Sequence, residues 1–463
     1  MGQSPPVYHL NPFRILRLIP HVRALRKREA WSREQIQRHQ DRELARLRHF
    51  ASAHSPLYQR FHKGLEGRPL QDLPVLTKKE LMRSWDDVVT DRSLRLQDIQ
   101  RFLDRVQGFE AYHNTHYAYA TGGTTGVKGV TVYSKKELLL IFALSSRFTR
   151  WAGVRFSLRE RPRMAIVQSL LPWHVAGGAA FIRLPMVKTL PLDTTEPLPQ
   201  LVRKLNDFQP HYVGGFAGNV HLLAQEQLAG RLRLAPRTVT TSAETLKKEA
   251  RQEIKKAWGI KPFDAYGSTE TAVAAAECQE HRGLHIYEDM VILEVVDEDN
   301  RPVPPGTFGK KVLATVLWNY SLPLIRYEIS DHLKLSSESC PCGRTFQLIE
   351  EIEGREEQVM FLEGKSGEEV RVEPDLFFDL MVPLPIDGWQ VVQERKDAVT
   401  FLVLGPHADF QESEFLKRMG DELEKLGAKR PTLKVEVVDE LRRTKLGKLI
   451  TIQALPKEQN RRE

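Results

Sequence analysis

Short β-rich runs alternate with helical stretches through the middle of the chain, from about residue 118 to about residue 335. Examples of the runs are Met164–Gln168, Tyr212–Gly214, Val291–Val296 and Val312–Val316, and Glu244–Trp258 is one of the helical stretches. Such alternation is typical of a sheet covered by helices. The sequence therefore predicts an α/β layered core for this region.

The two ends of the chain have different sequence patterns. Helical pattern dominates up to about residue 105, where Thr77 and Glu80 have the spacing of a helix N-cap with a capping box. Beyond about residue 354, a predicted helix at Gln411–Leu426 is surrounded by strand-like runs at Trp389–Val392, Val399–Val403 and Leu433–Val438. A division into domains is also expected because 463 residues exceed the roughly 250–300 that one hydrophobic core can serve.

We therefore predict an α/β fold with two domains. The larger is a layered α/β N-terminal domain over residues 1–353, in which residues 1–105 form a mostly helical lead-in. The smaller is an α+β C-terminal domain over residues 359–463. Composition agrees with a folded chain, since 41% of the residues are hydrophobic and 28% are charged.

Several classes of protein are excluded by the same sequence. Its apolar runs are far shorter than the roughly 20 residues of a membrane-spanning helix, and its start lacks the pattern of a signal peptide. We expect a cytoplasmic protein without a membrane span. The net charge of +8 is concentrated in the first 50 residues. This segment either favours an anionic surface or forms the solvated faces of two amphipathic helices. We favour the helices and predict no nucleic-acid partner, because no aromatic pattern for base stacking accompanies the charge.

The first chemical motif is a threonine–glycine loop, Thr121–Gly129, which follows a predicted strand and precedes Val130–Tyr133. Glycines let the backbone approach a ligand closely, and threonine hydroxyls add donors for phosphate oxygens. The spacing matches neither a Walker A loop nor a dinucleotide-binding turn. A phosphate cradle and a plain hairpin turn both remain open from these residues alone.

Two further motifs carry groups that suit a nucleotide. Tyr266-Gly267-Ser268-Thr269-Glu270 combines an aromatic ring, hydroxyls and a carboxylate that could hold Mg²⁺. Asp331 follows a predicted buried strand, where its carboxylate could accept hydrogen bonds from both ribose hydroxyls. Each motif taken alone could also be a turn at the end of a strand.

These motifs together resemble the adenylate-forming superfamily of acyl- and aryl-CoA synthetases and nonribosomal adenylation domains. The resemblance is closest to the phenylacetate–CoA ligase and capsule-synthesis adenylating branch. It runs from about Arg42 to Lys448 and keeps the family's motifs in order. The matching segments are Leu73–Lys78, the threonine–glycine loop, Leu171–Gly177, Ser242–Glu244, Tyr266–Glu270, Arg326–Asp331, Cys340–Arg344, Gly354–Glu357 and Arg443–Lys448.

The resemblance implies an ATP site in the large domain. Its phosphate-binding residues would be Thr121, Gly123, Thr124, Thr125 and Gly126. Ala243 and Glu244 would line the adenine, and Tyr266 would stack beside it, followed by Gly267.

The resemblance also implies the groups that act on the reacting atoms. Thr269 would contact the α-phosphate, and Glu270 would hold Mg²⁺. Asp331 would bind the ribose hydroxyls, assisted by Arg355. Lys448 matches the catalytic lysine of the family. Its ammonium would supply positive charge to the transition state of adenylation.

A hinge and an acid pocket are implied in the same way. Residues 354–358 would form the hinge with Glu357 at its pivot, and the small C-terminal domain would be a mobile lid. The residues that would line the pocket for the carboxylate substrate are Trp173, His174, Gly215 and Phe216. For His174, a hydrogen-bonded core histidine remains an equal alternative.

The three cysteines suggest a metal site. Cys278 and His281 are separated by two residues, and Cys340 and Cys342 by one, which supplies four ligands for a tetrahedral structural Zn²⁺. His285 is the alternative fourth ligand. The competing interpretation is three free thiols with exposed histidines. We predict zinc, because every cysteine of the chain falls in one of two closely spaced clusters.

The resemblance implies an ATP-dependent ligase that activates a small carboxylic acid as an acyl- or aryl-adenylate and releases pyrophosphate. The expected cofactors are ATP, Mg²⁺, coenzyme A and structural Zn²⁺, with CoA as the acyl acceptor. Two alternatives stay open: transfer to an amine or a carrier-protein thiol, and a catalytically silent nucleotide-binding protein. A homodimer is also considered. The family's Tyr-Arg-Thr-Gly-Asp pattern is replaced here by Tyr327-Glu328-Ile329-Ser330-Asp331. Because of this departure, the alternative acceptors stay open.

Overall fold

A computed structural model describes residues 8–9, 12–121, 129–155, 161–175, 182–183, 186–355, 359–372, 374–381, 384–442 and 451–455. The chain divides into two compact units, of which the first extends to Glu353 and the second starts at Gly354. No helix within the described ranges combines the length and the apolar character needed to cross a membrane.

The first unit opens with helices that pack on its core. They are α1 (Pro12–Arg28), α2 (Arg33–His54), α3 (Pro56–Phe61), α4 (Lys78–Arg83), α5 (Trp85–Val88) and α6 (Leu96–Leu103). Helix α4 begins where the sequence predicts, and the Thr77 hydroxyl accepts a hydrogen bond from the Glu80 amide at 3.2 Å. Apolar side chains at helical spacing, such as Ile36 and Leu47 of α2, are fully buried.

The remainder of the first unit contains the strands of the α/β core and four more described helices. The strands are β1 (Tyr8–His9), β2 (His116–Ala120), β3 (Val130–Ser134), β4 (Arg163–Gln168), β5 (Ile182–Arg183), β6 (Lys188–Asp193), β7 (Tyr212–Phe216), β8 (Thr238–Ser242), β9 (Phe263–Ser268), β10 (Ala272–Glu277), β11 (Leu284–Ile286), β12 (Val291–Val296), β13 (Lys311–Val316), β14 (Tyr327–Ile329), β15 (Asp331–Leu335) and β16 (Leu348–Arg355). The helices are α7 (Lys135–Trp151), α8 (Leu198–Phe208), α9 (Ala217–Leu228) and α10 (Lys248–Trp258).

A large sheet organises this unit, with nine strands among the described residues in the order β15-β16-β11-β10-β9-β8-β7-β4-β6. Strands β6, β4, β7, β8 and β9 are parallel, whereas β10, β11 and β16 join in antiparallel pairs. The register pairs Phe216 with Ser242 and Ser242 with Ala265. The carboxyl ends of β7, β8 and β9 therefore lie side by side, which is where open α/β sheets bind ligands.

Helix α10 begins later than the sequence predicts. Ala243 has a φ of +67°, a left-handed conformation that ends the strand rather than starting a helix. The Glu244 carboxylate accepts a hydrogen bond from the Gly218 amide at 2.7 Å, near the first turn of α9. The predicted helix from Glu244 is wrong in its first turn, because these residues form a link between β8 and α9 instead.

The second unit has its own core. Its elements are β17 (Met360–Glu363), β18 (Glu369–Val372), α11 (Pro374–Met381), β19 (Ile386–Arg395), β20 (Ala398–Pro406), α12 (Glu412–Lys425), β21 (Thr432–Val438) and β22 (Ile452–Gln453). Four of the strands form a sheet in the order β21-β20-β19-β22, and Phe401, Phe415 and Met419 are buried between sheet and helix. The predicted fold class, a layered α/β domain with a helical lead-in and a smaller α+β domain, is confirmed.

Candidate functional site

The threonine–glycine loop connects strands β2 and β3, which pair as an antiparallel hairpin with Ala120 opposite Val130. Residues 122–128, which include the predicted phosphate ligands Gly123, Thr124, Thr125 and Gly126, lie outside the described part. The two ends of the loop are held together, because the Thr121 amide donates to the Gly129 carbonyl at 2.9 Å. The Gly129 amide donates to the Thr121 hydroxyl, also at 2.9 Å.

The base of this loop lies beside a cation and a carboxylate. The Lys78 ammonium is 3.4 Å from the Thr121 hydroxyl. A Cβ atom added to Gly129 would lie 3.1 Å from the Thr121 Oγ1, 3.3 Å from the Lys78 Cε and 3.4 Å from a Glu270 carboxylate oxygen. The glycine thus permits a close approach of three chemically active side chains. This is an arrangement that suits a polyphosphate and its metal ion.

Lys78 is a residue to which the sequence assigned no role. It is the first residue of α4, and the segment before it is tied to β14. The Leu76 amide donates to the Arg326 carbonyl and the Leu76 carbonyl accepts from the Glu328 amide, both at 3.0 Å. This short parallel bridge holds Lys78 at the loop. In the sequence, the signal for such a role is a lysine directly after a capping threonine. This position is unusual for a lysine, because the helix dipole disfavours a cation at a helix N-terminus.

Glu270 is held in the turn between β9 and β10. Its side chain is buried, and one carboxylate oxygen accepts from the Tyr327 hydroxyl at 3.2 Å. The Tyr133 hydroxyl donates to the carbonyl of the adjacent Thr269. Burial and the Glu270 carboxylate hold the pKa of the Tyr133 phenol well above its ordinary value, so that it remains a neutral donor. Two tyrosines therefore orient the Thr269–Glu270 turn.

Tyr266 and Asp331 come together across the sheet. The Tyr266 hydroxyl donates to Asp331 Oδ2 at 2.8 Å, although the two residues are 65 positions apart. Asp331 is buried, while Tyr266 is half-buried. Gly267 is required by the backbone, because an added Cβ would lie 2.0 Å from the Ala272 carbonyl oxygen. Ala243 and Glu244 lie at the end of neighbouring strand β8, so the predicted adenine and ribose residues share one edge of the sheet.

Three of the four predicted acid-pocket residues carry aromatic rings, and their segment is connected to the loop. The ring centroid of His174 lies 6.5 Å from those of Trp173 and Phe216, with both pairs edge-to-face. The Ala120 amide donates to the Trp173 carbonyl at 2.8 Å, which connects this segment to the threonine–glycine loop. Gly215 is explained by packing, since an added Cβ would lie 2.2 Å from the Val167 carbonyl oxygen of the adjacent strand.

Three predicted residues of the hinge and lid have no described side chain. They are Arg355, whose backbone ends β16, and Glu357 and Lys448, which fall outside the described residues.

A second cluster lies at the other end of the antiparallel strands. The side chains of Cys278, His285, Cys340 and Cys342 place their ligand atoms within 4.8 Å of one another. Cys278 Sγ is 3.7 Å from Cys340 Sγ, and Cys342 Sγ is 3.3 Å from His285 Nε2. Tetrahedral Zn²⁺ requires about 3.8 Å between two sulfur ligands and about 3.6 Å between sulfur and nitrogen. The cluster therefore has nearly the dimensions of a zinc site.

His285, and not His281, completes this cluster. Nδ1 of His281 contacts a Glu277 carboxylate oxygen at 3.1 Å, and its ring packs 4.4 Å from that of Phe263. The choice of His281 as a ligand is corrected for this reason. Nδ1 of His285 lies 3.3 Å from the Phe346 carbonyl, which directs Nε2 toward the thiols. Burial lowers the pKa of His285 to about 4, so the imidazole is neutral, as a metal ligand must be.

The chain is similar to known proteins in both sequence and fold. No family model matches the chain. The phenylacetate–coenzyme A ligase of Thermus thermophilus is 29% identical over 388 residues, which cover 80% of each chain. Protein CapK of Staphylococcus aureus is 22% identical over 286 residues, covering 58% of this chain and 55% of CapK.

Among solved structures, 2-hydroxyisobutyryl-CoA ligase in the postadenylation state with R3-HIB-AMP superposes with a TM-score of 0.69. The two chains are 18% identical, and the superposition covers 94% of this chain and 92% of the ligase. At that identity the similarity establishes the fold. The chain is therefore similar in sequence to phenylacetate–coenzyme A ligase and to CapK, and it has the fold of adenylate-forming enzymes.

Proposed function

We propose that this chain is an ATP-dependent ligase that converts a small carboxylic acid to its acyl- or aryl-adenylate, releases pyrophosphate and then transfers the acyl group to coenzyme A. The observation that carries the proposal is the convergence of Thr121, Lys78 and Glu270 at the base of the threonine–glycine loop. The similarity to phenylacetate–coenzyme A ligase over 80% of both chains supports the same reaction class.

The chemistry follows from charge. The substrate carboxylate must attack the α-phosphorus of an already anionic polyphosphate, so positive charge has to surround the reacting groups. Glu270 would hold the Mg²⁺ that neutralises the phosphates, and Lys78 would add a cation next to the loop. Because Tyr133 and Tyr327 orient the Glu270 turn, little reorganisation would be required in the transition state.

The nucleoside part of ATP would be held by other residues at the same edge of the large sheet. Asp331 would accept hydrogen bonds from the ribose hydroxyls, and the Tyr266 hydroxyl keeps its carboxylate in position. The half-buried ring of Tyr266 would then face the adenine lined by Ala243 and Glu244. Arg355 and Lys448 are proposed for the ribose and for the transition state on the basis of their sequence motifs alone.

The acid would bind beside Trp173, His174 and Phe216, whose rings form an apolar wall near the loop. Coenzyme A is proposed as the acceptor because the most extensive of the reported sequence similarities is to a CoA ligase. Transfer to an amine or a carrier protein is the second candidate. The departure of residues 327–331 from the family's Tyr-Arg-Thr-Gly-Asp pattern is the observation that favours keeping it.

The cysteine cluster is proposed to hold a structural Zn²⁺. The residues present fit the ion, since zinc binds thiolates and imidazole, and the Cys278–Cys340 and Cys342–His285 distances are close to those of a tetrahedral site. Four protein ligands fill the coordination sphere, which leaves no position for a reacting water or substrate. The ion would therefore stabilise the fold and take no part in acyl transfer.

The test is carboxylate-dependent exchange between ATP and radioactive pyrophosphate, with CoA omitted and with aryl, fatty and amino acids as substrates. Exchange that depends on one class of acid, and that is lost in Lys448→Ala, would establish adenylation and identify the substrate class. Formation of the CoA thioester is then measured with that acid and compared with transfer to amines. Measurable ATP binding without exchange for any acid would favour a silent nucleotide-binding protein.

A further inference from the structure

The ligands of the cysteine–histidine cluster come from two hairpin connections. Cys278 follows β10 and His285 lies within β11, so both flank the β10–β11 turn. Cys340 and Cys342 lie in the connection between β15 and β16. Because β15, β16, β11 and β10 are neighbours in this order, the cluster joins two hairpins at one end of the sheet.

The proposed nucleotide-binding residues lie at the other end of the same strands. Asp331 is the first residue of β15, and Glu270 lies two residues before β10. Near the same end, His332 Nδ1 is 3.3 Å from a Glu353 carboxylate oxygen of β16. Five residues of β15 rise about 16 Å at 3.3 Å per residue, so the cluster is too far away to contact the nucleotide.

The strand pairing between the two ends is shortest where β11 meets β16. Strand β11 has three residues, and its register with β16 consists of two pairs, Leu284 with Ile349 and His285 with Leu348. One metal ligand is therefore itself part of this short ladder. Strand β15 is the last strand in the sheet order, and on its outer side the Leu333 and Leu335 carbonyls accept from the Gly309 and Gly306 amides at 2.9 and 2.7 Å. The two-pair ladder between β11 and β16 is therefore the place where this part of the sheet would open first.

We propose that the metal ion clamps the β15–β16 hairpin in register and thereby sets the affinity of the site for the ribose of ATP. The inference rests on the proposed Zn²⁺ and on the proposed role of Asp331. The four ligands are positioning residues, because they act on the nucleotide only through the two strands. Loss of the ion would let the β11–β16 ladder open, so that the β15–β16 hairpin shifts and Asp331 separates from the Tyr266 hydroxyl.

The chain offers a matched pair of variants. His285→Ala removes a ligand, whereas His281→Ala removes a histidine from the same turn that contacts Glu277 instead. We expect His285→Ala to lose bound zinc by elemental analysis, and His281→Ala to keep one ion per chain. Amide hydrogen exchange in residues 331–335 and 348–353 should accelerate at least tenfold in His285→Ala. The dissociation constant for MgATP should rise at least fivefold.

Strands β4 and β6, at the far side of the sheet, should exchange at the wild-type rate in both variants, which shows that the unit remains folded. If His285→Ala does not fold, the wild-type protein is stripped with phenanthroline and then given Zn²⁺ back. The same changes in exchange and MgATP affinity should appear and then reverse.

Unchanged MgATP affinity and unchanged exchange in the metal-free protein would overturn the inference, and the proposed function would stand. Zinc retained by His285→Ala, or lost by His281→Ala, would also overturn it. Absence of MgATP binding by the zinc-loaded wild-type protein would overturn the inference and the proposed function together.

Discussion

The two halves of the candidate site are built by different means. The nucleotide half depends on polar contacts between distant parts of the chain, such as Tyr266 with Asp331 and Tyr327 with Glu270. The acid half depends on rings and on close strand packing, with Gly215 pressed against the Val167 carbonyl. Polar contacts require defined partners, whereas an apolar wall tolerates changes of shape. The first half would therefore set the reaction class and the second the choice of acid.

The strongest test of this contrast is Glu270→Gln, which keeps the size of the side chain and removes the proposed Mg²⁺ ligand. We expect acid-dependent pyrophosphate exchange to fall by about 10²–10³-fold, the range typical of a lost electrostatic contact to a transition state. The exposed Glu298→Gln is the control and should leave exchange unchanged. Wild-type exchange by Glu270→Gln would remove this carboxylate from the proposed mechanism.

Lys78→Ala should lower the same exchange by about 10²-fold, because a cation beside the phosphates would be missing. Thioester formation from a supplied acyl-adenylate should continue at the wild-type rate, since pyrophosphate has then already left. Lys79→Ala removes an exposed lysine from the same helix turn and serves as the matched control. Equal losses in both half-reactions would instead indicate that Lys78 supports the fold.

Tyr266→Phe is expected to have a smaller effect. It removes one hydrogen bond to Asp331, and a hydrogen bond to a charged group contributes about 1.5–3 kcal/mol. The KM for ATP should rise roughly tenfold while the KM for the acid stays constant. A shift in acid preference would contradict the separation of the two halves.

Trp173→Ala is expected to have the smallest effect on the KM for ATP. Truncation of a pocket wall changes discrimination between related acids by roughly tenfold, as for other apolar pockets. The KM for ATP should remain at the wild-type value, because the contact with the threonine–glycine loop uses the Trp173 carbonyl. Leu228→Ala, at an exposed site on α9, is the control. A large rise in the KM for ATP would show that the two halves are coupled.

Local patterns were sufficient for most of the architecture. The strand predicted at Val291–Val296 has the observed bounds, and the helix predicted at Gln411–Leu426 differs by one residue at each end. The helix predicted from Glu244 was wrong in its first turn, because a contact with Gly218, from another element, replaces helical hydrogen bonding there. Propensity acts over a few residues, and such a contact lies beyond its range.

The sequence by itself determined the alternation of elements, the order of the motifs and the types of residue that the reaction needs, because each is written in neighbouring residues. Only the tertiary structure decided which side chains meet. It brought Lys78 to the threonine–glycine loop through a bridge to β14. It also selected His285 over His281, because one lies in a strand facing the thiols and the other in a turn bound to Glu277. By spacing alone, His281 and His285 could each serve as the fourth ligand. The direction of each side chain depends on the strand or turn that carries it.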